Sequence, residues 1–183
     1  MNVTVQTATA TDFEFVRNLV PYYIYDMSEY MGWGPNPEGR YDGCDDLSDY
    51  WNKPDHCAHL IMVDLKVAGF AMVRPYPCDP ARCEVGEFFV LRKFRGHGVG
   101  RKSAYFLFDA HPGRWLVRML DGNAGALGFW ESVIGAYSGG CAVQTAEIYE
   151  CPHSGTWPMQ FFRFESRSQQ AGPASGEGTA AEA

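Results

Sequence analysis

No stretch of this chain approaches the roughly 18 consecutive apolar residues that a membrane-spanning helix needs, so no membrane partner is expected. The opening residues, MNVTVQTATATDF, lack the charged segment and apolar core of a secretion signal. Six cysteines (Cys44, Cys57, Cys78, Cys83, Cys141 and Cys151) are scattered without one CxxC pair. With no export signal, that spread favours reduced thiols and a cytoplasmic location. The stretch HCAH offers His56, Cys57 and His59, but no second ligand pair sits at zinc spacing, so no metal is expected. Charge is sparse too. At 20% charged residues the chain is too apolar for a disordered protein, and its net charge of −7 argues against nucleic acid as a partner. No internal repeat is visible.

What the 183 residues do hold is enough apolar (46%) and aromatic (15%) side chain for one ordinary domain. Alternation in residues 3–8 predicts a strand. Thr11 and Glu14 stand at capping-box spacing before a helical face of Phe13, Val16, Leu19 and Val20, which Pro21 should interrupt or kink. A short helix fits LSDYW. Two strands, 59–65 and 67–76, are close enough for a hairpin, and PYPCDPARC reads as a Pro-broken loop. A third strand follows at EVGEFFVLR, then a Gly-rich turn, a helix from Gly100 to Ala110, and a strand at RWLVRML. Asn123 is a good N-cap for a helix whose apolar residues (Ala126, Phe129, Trp130, Val133, Ile134) recur at helical spacing. Two strands close the domain at about residue 165. The segment 166–183 has little to bury and reads as a disordered tail.

The informative stretch is VGEFFVLRKFRGHGVGRK. Five of the chain's fifteen Lys and Arg fall between Arg92 and Lys102, and three glycines (Gly96, Gly98, Gly100) alternate with single residues. A strand, a Gly-rich turn and a helix N-terminus in that order make an anion site, because backbone N–H groups converge where the helix dipole adds positive potential. Phosphate is the natural guest. Neither the P-loop pattern nor the dinucleotide fingerprint is present. What remains is Arg95-x-x-Gly98-x-Gly100 behind an apolar strand.

EFFVLRKFRGHGVGR resembles the acetyl-CoA signature of the GNAT superfamily of N-acetyltransferases, and NAGALGFWESVIGAY is similar to a second segment of that family. The resemblance implies an α+β domain over residues 1–165: a central, mostly antiparallel mixed sheet, twisted and flanked by helices. It implies acetyl-CoA as cosubstrate and transfer of its acetyl group to a small amine or peptide amine. It also implies that Phe89, Val90 and Leu91 line the pantetheine arm, with the Val90 N–H facing the thioester oxygen. Arg95, Gly96, His97, Gly98, Val99, Gly100 and Arg101 would hold the pyrophosphate, Arg92 or Lys93 would serve the 3′-phosphate, and Asn123 and Phe129 would flank the pantetheine. A homodimer is one open option for the assembly.

The attacking amine must lose a proton, which a carboxylate can take. Glu87 is the first candidate and Glu84 the second; strand alternation puts them on opposite faces unless a bulge intervenes. Where the family often carries a Tyr general acid, this chain has Trp130, whose indole cannot donate a proton near neutrality. Tyr137 or Tyr105 are the candidates to replace it. The aromatic segment YYIYDMSEYMGWG offers Tyr25, Asp26, Glu29 and Tyr30 for a cationic, partly apolar acceptor. A rival reading is a non-catalytic module that binds a CoA ester as a sensor or scaffold.

Overall fold

The computed structural model describes residues 1–42, 47–151 and 155–166; the expected tail therefore lies, after Ser166, outside the described residues. Strand β1 (Val3–Thr7) leads through a single 3-10 turn into α1 (Phe13–Met31). The capping pair stands two residues earlier than expected: the Asp12 carboxylate accepts from both the Thr9 N–H and the Thr9 hydroxyl, each at 2.7 Å. Pro21 does not end α1. The helix runs through it, with Val16, Val20 and Ile24 buried on one stripe against Leu60, Phe70 and Met72. Packing on both sides of the proline outweighs one lost backbone bond. Gly32, in the left-handed region at φ 67°, closes the helix by donating its N–H to the Ser28 carbonyl.

After the short α2 (Asp49–Asn52) come β2 (Cys57–Val63) and β3 (Lys66–Tyr76), joined by Asp64 and Leu65 at φ 48° and 64°. Two positive φ values in a two-residue loop give the twist that an antiparallel hairpin requires. Strand β4 (Asp79–Val90) starts well before the expected Glu84, so the Pro-broken loop shrinks to Pro77 and Cys78. Pro80 is tolerated because it falls in the irregular step between the Tyr76–Asp79 and Pro75–Cys83 pairs.

Helix α3 (Val99–Ala110) crosses over to β5 (Arg114–Leu120), and α4 (Ala124–Ser138) leads to the hairpin of β6 (Val143–Cys151) and β7 (Gly155–Glu165). Asn123 caps α4, its Oδ1 accepting from the Ala126 N–H at 2.9 Å. The seven strands form one mixed sheet in the order β1-β2-β3-β4-β5-β7-β6. Only β4 and β5 run parallel, which a crossover helix makes possible. One face packs on α3 and α4 through Ile61, Val73, Leu107, Phe108, Trp115 and Ile134. The other packs on α1 and α2 through Leu60, Phe70, Met72 and Phe89. Among the described residues no helix is long and apolar enough to cross a membrane.

Candidate active site

The parallel pair β4·β5 is short. Arg82, Cys83 and Glu84 pair with Arg114, Trp115 and Leu116, and there the two strands part. From Val85 onward β4 keeps only β3 as a neighbour. A cavity of about 620 Å³ opens at the fork, walled by Val85–Phe88 of β4, Val117–Leu120 of β5, the inner stripe of α1 and the start of α4. Its size suits a small organic ligand.

A β-bulge sets the chemistry of that wall. Met72 pairs with Glu87 but Val73 pairs with Val85, so Gly86 is the extra residue on β4. The bulge resets the alternation: Val85 and Phe88 both face α3, whereas Glu84 and Glu87 both face α1 and α2. Gly86 is required here because a Cβ on it would stand 2.1 Å from the Tyr50 hydroxyl. Tyr50 is buried, and its hydroxyl has no hydrogen-bond partner among the described residues. Burial pushes its phenol well above the ordinary value, so it stays protonated.

The two carboxylates have different surroundings. Glu87 is half-buried and lines the cavity. Glu84 is fully buried and sits between two arginines from the neighbouring strands. Its Oε2 accepts from Arg74 Nε at 2.9 Å and its Oε1 accepts from Arg118 Nε. Glu84 is therefore committed to ion pairing, off the cavity surface, while both arginines line the cavity. The Arg118 guanidinium also lies over the Tyr149 ring, 4.0 Å from its centroid.

At the end of β4 the backbone turns outward. The Leu91 N–H donates to the Ala68 carbonyl at 2.8 Å, so alternation turns the Val90 N–H and C=O away from β3, toward the fork. Arg95 Nε reaches that carbonyl at 2.7 Å. Gly96 and Gly98 follow at φ 77° and 75°, a conformation L side chains rarely adopt, and α3 starts at Val99 without a side-chain cap. The first N–H groups of α3 have no intrahelical acceptor, which leaves them to a ligand or solvent.

Four of the basic side chains near this turn, Arg92, Lys93, Arg95 and Arg101, are already engaged. Asp26 accepts from Arg92 Nη2 at 2.6 Å and from Arg95 Nη2 at 2.5 Å. Burial alone would raise the Asp26 carboxyl, but the hydrogen bonds and charge of Arg95 and Arg92 hold it below its ordinary value. Arg101 reaches Ser132 Oγ at 3.2 Å, and Lys93 lies over the Phe94 ring. Asp26 is thus a clamp on the arginines, away from the cavity.

The remaining expected acceptor residues are not on the cavity either. Tyr25 and Tyr30 are exposed and Glu29 points outward. The residues of α1 that line the cavity are Val20, Tyr23, Ile24, Met27 and Met31, one helical stripe. On α4, Asn123 and Trp130 line the cavity, whereas Phe129 stacks on Phe88 and packs over Gly100. Trp130 is buried edge-on against Phe88, their ring centres 5.1 Å apart. Tyr137 is in the core, 2% exposed, its hydroxyl donating to Asp109 at 2.6 Å, and Tyr105 packs against it.

Sequence spacing offered Cys57 and His59 of one further cluster but not its third member. His56 pairs with Asp55, but Cys57, His59 and His111 bring their ligand atoms within 4.8 Å of one another on the α3 side of the sheet. His111 comes from the end of α3, 52 residues away from His59 in sequence, so no local motif reveals the set.

A forked parallel pair with a Gly-rich turn behind it is a fold that solved structures share. The fold matches yncA of Salmonella typhimurium with acetyl-CoA bound, at TM-score 0.61 and 14% identity over 96% of this chain and 100% of that one. It matches an aminoglycoside acetyltransferase in complex with coenzyme A, at TM-score 0.60 and 13% identity over 91% and 95% of the two chains. The ribosomal-protein-S18-alanine N-acetyltransferase of Escherichia coli matches at TM-score 0.55 and 13% identity, over 93% and 99%. No curated protein matches the sequence significantly. The Acetyltransferase (GNAT) family model matches residues 22–136, from α1 into α4 and well over half of the chain. The chain belongs to the GNAT acetyltransferase family.

Proposed function

We propose that this protein transfers an acetyl group from acetyl-CoA to an amine by direct attack of the amine on the thioester. One observation carries the reading: β4 and β5 part beside a cavity that holds Glu87, and the Val90 backbone turns into the gap. An extended pantetheine arm would complete that strand edge through Phe89, Val90 and Leu91, as a third strand would. The turn from Arg95 to Arg101 suits the pyrophosphate, with the glycines admitting close approach and the start of α3 favouring negative charge. Asn123 and Phe129 would flank the arm. Acetyl-CoA or CoA in two of the structural relatives supports the same guest.

In this reading Glu87 removes a proton from the substrate ammonium, directly or through one water. The freed nitrogen bonds to the thioester carbon, whose oxygen becomes an oxyanion facing the Val90 N–H. Collapse breaks the C–S bond and releases CoA thiolate, and the nitrogen gives its second proton to that thiolate or to water. A thiol with a pKa near ~8.5 is a tolerable leaving group without an acid, which accords with Trp130 where the family often has Tyr. Tyr137 takes no part, because its hydroxyl is bound to Asp109 in the core.

Release of CoA thiol, followed with a thiol reagent against a panel of amines, tests the reading. Amine-dependent release is expected. Tight CoA binding with no release from any amine would support the sensor or scaffold reading instead.

A further inference from the structure

The wall of the cavity carries more guanidinium hydrogen-bond donors than its own carboxylates use. Arg74 on β3 and Arg118 on β5 flank Glu84 on β4, and each spends one Nε–H on it. Among the described residues the Nη groups of Arg74 make no hydrogen bond, although the Glu87 charge reaches Arg74, and the hydrogen bond of the Arg118 Nη1 is to the Met159 thioether at 3.6 Å. Both side chains are mostly buried, 27% and 15% exposed. Partly desolvated guanidiniums with unused donors are costly unless an anion meets them. Tyr50 adds a third donor nearby: its buried hydroxyl, unpartnered among the described residues, stands over Gly86 on the same wall.

Glu87 lines that cavity with the opposite sign. The cavity is therefore dipolar, with a carboxylate where the amine must lose its proton and two guanidiniums beside it. Most of the remaining lining is apolar and aromatic, including Tyr23, Met27, Trp33, Phe70 and Trp157, with Asp49, His56 and Asn123 as further polar residues. A polyamine would set a second cation against the arginines, and a peptide N-terminus would leave them without an anion.

We infer that the acceptor is a zwitterion, a free amino acid with an apolar or aromatic side chain, whose carboxylate is held by Arg74, Arg118 and the Tyr50 hydroxyl while its ammonium faces Glu87. This inference rests on the acetyl-transfer reading for the fate of the amine, and on the cavity alone for binding.

The test compares each acid with its primary carboxamide, which keeps the amine and side chain but removes the negative charge. L-phenylalanine, L-methionine and L-leucine, their amides, and phenethylamine serve as probes in the thiol-release assay with wild-type protein and acetyl-CoA. At least one acid should exceed its amide in kcat/KM by roughly 100-fold or more, because a site built on donors for one group rejects analogues that lack it. Arg118→Lys keeps a charge for Glu84 but loses the planar fork, and Tyr50→Phe removes only the hydroxyl. Each should raise KM for the acid about tenfold or more, leave KM for acetyl-CoA unchanged, and narrow the acid-to-amide ratio. A merely structural role would weaken acid and amide alike. Amides or phenethylamine acetylated as well as the acids would overturn the inference and leave acetyl transfer standing. A calorimetric titration of the same probes into the protein with CoA needs no turnover. Acids that bind while amides do not support the site even if no acetylation occurs, and equal binding or none sinks it.

Discussion

Tyr50 and Gly86 meet across the cavity wall so closely that a methyl group on residue 86 would lie 2.1 Å from the Tyr50 oxygen and 3.3 Å from the ring carbon that carries it. The bulge that presents Glu87 is thus held by a contact that only glycine permits. Gly86→Ala should destabilise the protein by about 1–3 kcal/mol, the usual range for overpacking. Tyr50→Phe alone should be nearly neutral, because the hydroxyl it removes has no partner among the described residues. Combined, the two changes should recover much of the loss. Thermal unfolding of the four proteins forms a double-mutant cycle, and strict additivity would show that the contact does not govern the site.

The proposed phosphate site predicts selective stabilisation. CoA or acetyl-CoA at about 100 times Kd should add about 2.7 kcal/mol to the native state, and ATP or NAD should add little. Gly98 has φ 75° and no atom within 4 Å of a would-be Cβ, so Gly98→Glu strains the backbone and sets an anion at the proposed pyrophosphate site. The mutant should lose the CoA shift in a melting assay. A mutant that keeps the full shift would move the phosphate site elsewhere.

How much of this could be read in advance differs by element. Strand β5 and the cap at Asn123 lie where local signals put them, since alternation and an N-cap are properties of a few adjacent residues. The start of β4 was hidden by Pro77 and Pro80, because only pairing with β3 shows that a proline falls in an irregular step. The need for glycine at the bulge comes from Tyr50, 36 positions earlier in the chain, and the partners of buried Glu84, Arg74 and Arg118, come from separate strands. These are tertiary facts. The α1 wall of the cavity was partly legible: a helical period runs through Val20, Tyr23, Ile24, Met27 and Met31, whereas Tyr25 and Tyr30 stand out only by aromatic density. Density names a residue type; period names a face.

Tyr137 gives a negative prediction. Its hydroxyl is bound to Asp109 in the core and its ring packs on Phe108 and Phe164. Tyr137→Phe should change kcat by less than about threefold, far below the 10²–10⁴ typical of a positioned acid. Stability should fall by about 1 kcal/mol for the lost hydrogen bond. A hundredfold loss of kcat with an intact fold would restore Tyr137 as the general acid.

His59 predicts an acid-sensitive fold. It is 3% exposed, its Nε2 stands 3.3 Å from that of His111, and its Nδ1 has no partner among the described residues. Burial, then the neighbouring His111, lowers its pKa from 6.5 to about 4; burial lowers His111 too. A depressed histidine means that the unfolded chain binds the proton first. The stability is complete above about pH 6.5 and is lost as pH falls toward about 4, by roughly 3 kcal/mol for His59. Urea unfolding at pH 7, 5.5 and 4.5 should show a shallower pH dependence for His59→Phe than for wild type. Parallel curves would rule out His59 as the sensitive group.

The central claim is that Glu87, presented by the bulge at the fork of β4 and β5, takes the proton of the attacking amine. The most direct measurement is the pH–rate profile of Glu87→Gln against wild type, with acetyl-CoA and the best amine acceptor, alongside CoA affinity. The substitution keeps the shape of the side chain and removes its basicity. The account predicts a fall in kcat of roughly 10²-fold or more at pH 7, shrinking as pH rises and free amine accumulates, with CoA binding unchanged. Equal rates for the two proteins across the whole pH range would contradict it.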